Sequence, residues 1–263
     1  MKIGALNCQD LRDKIDYPEV QNLISSCDIF GVTETWFGSD DKGYLEGYEY
    51  YAMNRETEKG KGAPRGGIGL FVKNELKEHI KIRNDLSCEN FLWCKVSKKC
   101  LGFHDDLYIC IIYFPPESST REKRINKDHF SHLQEVTLKL NTDQVILMGD
   151  FNARTKNLED VLRGEKDEED MDLADFFSTI ETHRANQDQT MNRYGKMLTD
   201  YCIATKSYIA NGRTIGDLQG KYTCHENQGS STVDYAVISE NLKNYVQTFQ
   251  VLPPDTGSDH SAI

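Results

Sequence analysis

The sequence predicts an α/β protein with β-sheets sandwiched between helices, and three observations predict it. Short apolar runs bounded by Gly, Pro and polar residues recur along the chain and outnumber the helical stretches. Helical patterns interrupt them, as a layered α/β fold requires. No internal repeat, Pro/Gly/Ser-rich linker or second hydrophobic unit divides the 263 residues, so residues 1–263 read as one domain. Hydrophobic residues at 38% and aromatics at 10% suffice for a sizeable core.

The first strand spans Lys2 to Asn7 and ends in a polar residue, which a turn alone would also favour. A helix runs from Asp16 to about Cys27, with Pro18 in its first turn. Asp28–Thr33 is a buried strand ending at Glu34 beside Thr33, Thr35 and Trp36, a placement that favours a metal ligand over a turn cap. Tyr48–Met53 is extended and aromatic, and Asn54–Gly62 is a polar loop. Arg65-Gly66-Gly67 opens a strand through Val72. Paired glycines can let a backbone approach a phosphate, but by themselves they are better explained by a bulge on an edge strand. Phe91–Val96 and Asp106–Tyr113 are further strands, the second stopped by Pro115-Pro116.

Asp128–Leu140 carries a helical apolar face, with a start as early as Thr120 allowed by the same pattern. Val145-Ile146-Leu147-Met148 is a fully buried strand that delivers Asp150 and Asn152 to its mouth, two positions apart and so on one face of an extended chain. Asn157–Asp170 is a charged loop, and Leu173–Ile180 and Lys196–Thr205 are helices. Asn211-Gly212-Arg213 is a turn. Lys221–Cys224, Thr232–Ile238 and Tyr245–Leu252 are the remaining strands. Asp234 lies inside one of them, where a carboxylate needs a partner such as an imidazole. Ser258-Asp259-His260 comes after the last strand.

A formal net charge of -11 argues against broad coating of nucleic acid but not against a metal-dependent nuclease, whose site is itself built from carboxylates. The excess is partly local, in the run 165–170. The 8 cysteines form no CxxC pair and no zinc-spaced set with His, and several lie in apolar runs, so they read as free thiols of an intracellular protein, nuclear or cytoplasmic. Neither a secretory leader nor a stretch of membrane-spanning length is present.

The strand ends thus collect Asn7, Glu34, Tyr113, Asp150, Asn152, Asp234, Asp259 and His260. With Thr33-Glu34-Thr35-Trp36, Arg65-Gly66-Gly67 and Asn211-Gly212-Arg213, all in the family's order along the chain, the chain resembles the endonuclease/exonuclease/phosphatase superfamily, the deoxyribonuclease I-like proteins. It looks most like the apurinic-type endonuclease domain of non-LTR (LINE-type) retrotransposons, on Thr33–Trp36 and on Asn192, Gly195, Leu198, Asp200 and Cys202 leading to Asn211.

The resemblance implies a four-layer α/β sandwich with two packed mixed sheets and the site at one edge of them. It implies a divalent-metal-dependent endonuclease that nicks DNA, with Mg²⁺ or Mn²⁺ as cofactor. Asn7, Glu34 and Asp259 are its implied metal ligands. Tyr113, Asp150, Asn152, Asp234 and His260 are the implied catalytic group, with the general base either Asp150 or the His260–Asp234 pair. Arg65 and Asn211 are implied substrate contacts, with Lys59 and Lys61 as further candidates for phosphate. A monomer acting on DNA, with no membrane contact and with a reverse transcriptase domain in the parent polyprotein, completes the implied picture. Gln9 stands where repair-type members carry an acid, which counts against abasic-site repair. Ser261-Ala262-Ile263 would only begin the family's closing strand, so the domain is expected to be truncated there. Two alternatives remain: a phosphatase or phosphodiesterase of the same fold acting on a small substrate, and an inactive remnant that binds nucleic acid or protein.

Overall fold

The computed structural model describes residues 1–55, 65–117, 119, 128–161 and 183–263. The expected helix at Leu173–Ile180, the acidic run 165–170, the stretch near Thr120, and Lys59 and Lys61 lie outside these residues. In chain order the strands are β1 (Ile3–Asn7), β2 (Ile29–Thr33), β3 (Tyr48–Met53), β4 (Ile68–Lys73), β5 (Ile80–Ile82) and β6 (Phe91–Val96). They continue as β7 (Leu107–Tyr113), β8 (Val145–Asp150), β9 (Ser207–Ile209), β10 (Cys224–Glu226), β11 (Gly229–Ser231) and β12 (Asp234–Ser239). The helices are α1 (Leu11–Lys14), α2 (Pro18–Ser25), α3 (Lys98–Leu101), α4 (His129–Lys139) and α5 (Arg193–Thr205).

Two mixed sheets result. The first has the order β1-β2-β4-β3 and the second β5-β6-β7-β8-β12-β9, while β10 and β11 form a separate hairpin. One pairing in each sheet is parallel, β1 with β2 and β7 with β8.

The two-residue alternation of a strand sorts the apolar side chains into three buried layers. Ala5, Ile29, Leu70 and Val72 of the first sheet meet Leu92, Ile109, Ile111 and Ala236 of the second. The other face of the first sheet, with Leu6, Phe30 and Phe71, takes Val20 and Ile24 of α2. The other face of the second, with Cys110, Leu147 and Val237, takes Phe130 and Leu133 of α4 and Leu198 and Tyr201 of α5. Helix, sheet, sheet and helix are therefore the four layers. The sheets approach closely at Gly31, where an added Cβ would overlap the side chain of Ile111.

Local chemistry explains the helix ends. Pro18 sits at the first position of α2, where its missing N–H is no loss. Asp128 caps α4 by accepting from Phe130 N, and Asn192 caps α5 by accepting from Gly195 N. The cap at Asn192 starts α5 three residues before the expected Lys196.

Two expected strands are corrected. Residues 245–252 form no strand: Glu240–Tyr245 is a 3₁₀ helix, and residues 246–252 join no sheet ladder. Phe249 and Val251 are nonetheless buried between the sheets, so the alternation reflects burial rather than pairing. The strand expected at Lys221–Cys224 begins only at Cys224, because Thr223 turns its hydroxyl to the N–H groups of Val233 and Asp234. The elements α1, α3, β5 and β11 leave no signal in the sequence, being too short to show a period.

The last residues pair on two sides. Ser261 N donates to Thr223 O, and Ala5 and Ile263 exchange both backbone hydrogen bonds at 2.8 and 2.9 Å. Among the described residues no helix is long and apolar enough to cross a membrane. All eight cysteines are free thiols.

Candidate active site

Strand register builds the floor of the site. Asp150 at the end of β8 is opposite Tyr113 of β7 on one side and Asp234 of β12 on the other. Register partners share a face, so these three side chains form one row. The row meets Asn7, at the end of β1, whose Nδ2 donates to Asp150 Oδ2 at 2.9 Å and to Glu34 Oε1 at 3.2 Å. One amide thus ties the two sheets together and brings two carboxylates to one spot.

Glu34 comes directly after β2 in a left-handed conformation, φ 52°. Its second oxygen accepts from Trp36 Nε1 at 3.0 Å, and its charge reaches the Tyr113 phenol. Trp36 N donates to Gly66 O, so the glycine turn before β4 holds the Glu34 segment. This internal contact is what the structure offers as a reason for the glycines. At Gly67 an added Cβ would strike the Thr35 hydroxyl.

Asn152 meets Asp150 for a reason other than strand alternation. It lies beyond β8 with φ 48°, outside the extended region. Its backbone N–H donates to Asp150 Oδ1 at 2.8 Å, and its Nδ2 to Asp150 Oδ2 at 3.1 Å and to Phe114 O at 2.8 Å. The expected proximity holds through a local turn that caps the carboxylate.

His260 is 7% exposed, and its Nδ1 lies 2.8 Å from Asp234 Oδ2. The partner that buried Asp234 requires is therefore this imidazole. The pair is braced from both sides: Asp234 N donates to Thr223 Oγ1, and residue 260 bridges to Cys224 on β10. Asn211 is 1% exposed and spends its amide on Asp234 O and Ala236 N. That makes it a strut under β12.

Gln9 stands out in the sequence only as a departure, yet it organises the turn before His260. Its Oε1 accepts from Asp259 N at 2.9 Å and Ser258 Oγ at 3.3 Å, and its Nε2 donates to Asp259 Oδ2 at 3.3 Å. Nothing in a single sequence links positions so far apart. Arg55, also missed by sequence reasoning, lies buried with its guanidinium carbon 5.4 Å from the centre of the Tyr113 ring. Arg65 is exposed and stacks over Trp36 at 5.5 Å.

The electrostatics stem from burial. Burial, and then the charge of Asp234, push the Asp150 carboxyl up to about 7, against the lowering pull of His260 and the hydrogen bonds from Asn152 and Asn7. Burial opposes charge on His260, but the adjacent Asp234 carboxylate overrides it and raises the imidazole well above its ordinary value. Burial and then Glu34 and Asp150 raise the Tyr113 phenol, so it stays a hydrogen-bond donor at neutral pH.

A carboxyl, an acid–imidazole pair and hydrogen-bond donors facing one point can accept a proton, hold an imidazole in one tautomer and stabilise an anion. Among the described residues, Asp150, Asp234 and His260 form one group whose ligand atoms lie within 4.8 Å of one another and could hold a metal ion. Neither Glu34 nor Asp259, the two carboxylates expected as ligands, is in that group.

Comparison with solved structures gives the same fold at low identity. The endonuclease domain of TRAS1, a telomere-specific non-LTR retrotransposon, is 14% identical, with a TM-score of 0.63 over 99% of this chain and 94% of that one. The AP endonuclease LMAP from Leishmania major is 15% identical, with a TM-score of 0.70 over 99% and 85%. A variant of the 3′ phosphatase NExo from Neisseria, bound to product DNA hairpin, is 16% identical, with a TM-score of 0.64 over 100% and 97%. No curated protein matches the chain. The family model described as endonuclease-reverse transcriptase matches residues 107–263, which carry Tyr113, Asp150, Asn152, Asp234 and His260. The chain belongs to the endonuclease-reverse transcriptase family, with the two-sheet fold of deoxyribonuclease I-like nucleases and phosphodiesterases.

Proposed function

We propose that the protein is a divalent-metal-dependent endonuclease that nicks DNA. The observation that carries this reading is the double hydrogen bond from Asn7 Nδ2, which sets Glu34 beside Asp150 in the row that ends at the Asp234–His260 pair. The donor chemistry fits Mg²⁺ or Mn²⁺, because the side chains of Glu34, Asn7 and Asp150 offer hard oxygens. Glu34 would hold the ion, with Asn7 beside it and Asp259 as a further contributor. When bound it neutralises charge on the phosphodiester oxygens and the leaving group.

The chain's own residues supply the rest. Asp150, with its carboxyl poised near neutrality, takes the proton of the attacking water. Asp234 holds the His260 ring through Nδ1, so Nε2 faces the phosphate. Tyr113 and Asn152 donate hydrogen bonds to the developing charge. Arg65, exposed on the rim, meets the DNA backbone.

Incubation of supercoiled plasmid with the protein and Mg²⁺ tests this. Open-circular product from the wild type, lost with EDTA and in His260→Ala, is expected. Equal activity in His260→Ala, or none in a folded wild type, overturns it. The 3′ phosphatase from Neisseria shares this fold, which leaves room for a second reading, removal of 3′-phosphate from DNA ends. A 3′-phosphorylated oligonucleotide turned over in preference to intact plasmid would select it.

A further inference from the structure

Arg55 lies two residues after β3, outside every motif in the sequence, and touches two parts of the site at once. Its guanidinium carbon is 5.4 Å from the centre of the Tyr113 ring. Nη1 donates to the carbonyl of Arg65 at 2.9 Å, and Nη2 to that of Glu89 at 3.3 Å. The residue is 7% exposed. Gly66, with φ +93°, is glycine of necessity, because a Cβ there would occupy the guanidinium's place. Gly66 O in turn accepts from Trp36 N, and Trp36 Nε1 donates to Glu34.

A buried guanidinium is costly unless its donors are used and its charge is placed to advantage. Two donors here serve backbone carbonyls, and the cation lies over an aromatic ring. A cation over a phenol ring draws on its electron density, which makes the hydroxyl a stronger donor and holds the ring in one orientation. The Tyr113 phenol feels the charges of Glu34 and Asp150 in the same site.

Resting on the endonuclease reading above, we infer that Arg55 is a positioning residue that acts through Tyr113. It clamps the phenol ring from one side and the glycine turn from the other, so the Tyr113 hydroxyl is set for the phosphate. Arg55 makes no contact with DNA in this assignment, so its loss lowers kcat and leaves KM for DNA unchanged.

A double-mutant cycle tests the inference. Arg55→Met is expected to lower kcat for nicking about tenfold. In a Tyr113→Phe background the same change should cost less than about twofold, because the hydroxyl it acts through is gone. Additive losses, or a loss carried by KM, overturn the assignment and leave Arg55 a packing residue. Arg55→Lys, which keeps a cation, replaces Arg55→Met in the cycle if the latter fails to fold. A measurement independent of turnover is the ¹⁹F spectrum of 3-fluorotyrosine-labelled protein. The resonance that vanishes in Tyr113→Phe should shift in the Arg55 variant while distant tyrosines stay fixed, and an unmoved resonance refutes the contact. A shift in the Arg55 variant, with a folded wild type that nicks nothing, would defeat the endonuclease reading and not the Arg55–Tyr113 coupling.

Discussion

Asp150 should make the metal-free protein less stable as the pH rises. The carboxyl is 1% exposed and faces Asp234 across the β8–β12 ladder, and together these raise it from 3.8 to about 7. The folded state therefore binds a proton between those pH values that the unfolded chain releases. The stabilisation is fully present below pH 3.8 and is lost as pH rises through about 7. Each pKa unit is worth ~1.4 kcal/mol, so the whole effect is up to ~4 kcal/mol. Asp150→Asn removes the titration while keeping the shape. It also puts an amide where Asp150 Oδ2 accepts from Asn7 and Asn152, a cost of ~1–3 kcal/mol that does not vary with pH. The stability difference between wild type and Asp150→Asn, measured by urea denaturation in EDTA from pH 4.5 to 8.5, cancels that constant. It should move by ~2–4 kcal/mol in favour of the variant as pH rises. Excess Mg²⁺ at pH 8 should return stability to the wild type by binding the folded state. A difference flat with pH would mean that the carboxyl titrates as if in water, and the reasoning from burial would be wrong.

Asp234→Asn leaves His260 without the carboxylate that holds its tautomer, and nicking should fall by at least ~100-fold with the fold intact by circular dichroism. A loss below about threefold would detach the pair from the chemistry. Gly149→Ala would push a Cβ into the backbone carbonyl of Ile112 at φ 130°, so it should cost ~3 kcal/mol or more in urea denaturation. A cost below ~1 kcal/mol would contradict that close approach. Asp160 is buried between Arg213, at 2.5 Å, and Arg184, at 3.9 Å, and also accepts from Ile209 N. Asp160→Asn should destabilise by ~3–5 kcal/mol, since it leaves two buried guanidiniums with no carboxylate, and a neutral result would count against that network.

Parts of this molecule are legible from local sequence. Phe91–Val96 and the strand to Asp150 show as apolar runs because a strand buried on both faces has no polar side to break its pattern. Pro18 and Asp128 mark helix starts because capping chemistry acts over a few residues. The same locality misleads at 245–252, where Phe249 and Val251 alternate into the core without a strand to pair with. Asn152 likewise stands beside Asp150 by virtue of a left-handed turn, a conformation that residue spacing does not express.

Sequence by itself determined which residue types stand at the strand ends, and their order is what the resemblance rests on. Tertiary structure alone decided how they are joined. The sharing of one Asn7 amide by Glu34 and Asp150, the Gln9 hold on Asp259 and the Arg55 ring contact each link positions far apart in the chain. A hydrogen bond or ring contact depends on distances of a few ångströms, and those are set by how the two sheets pack. Strand patterns carry no record of that distance until the core between Ala5, Ile29 and Ile111 has closed.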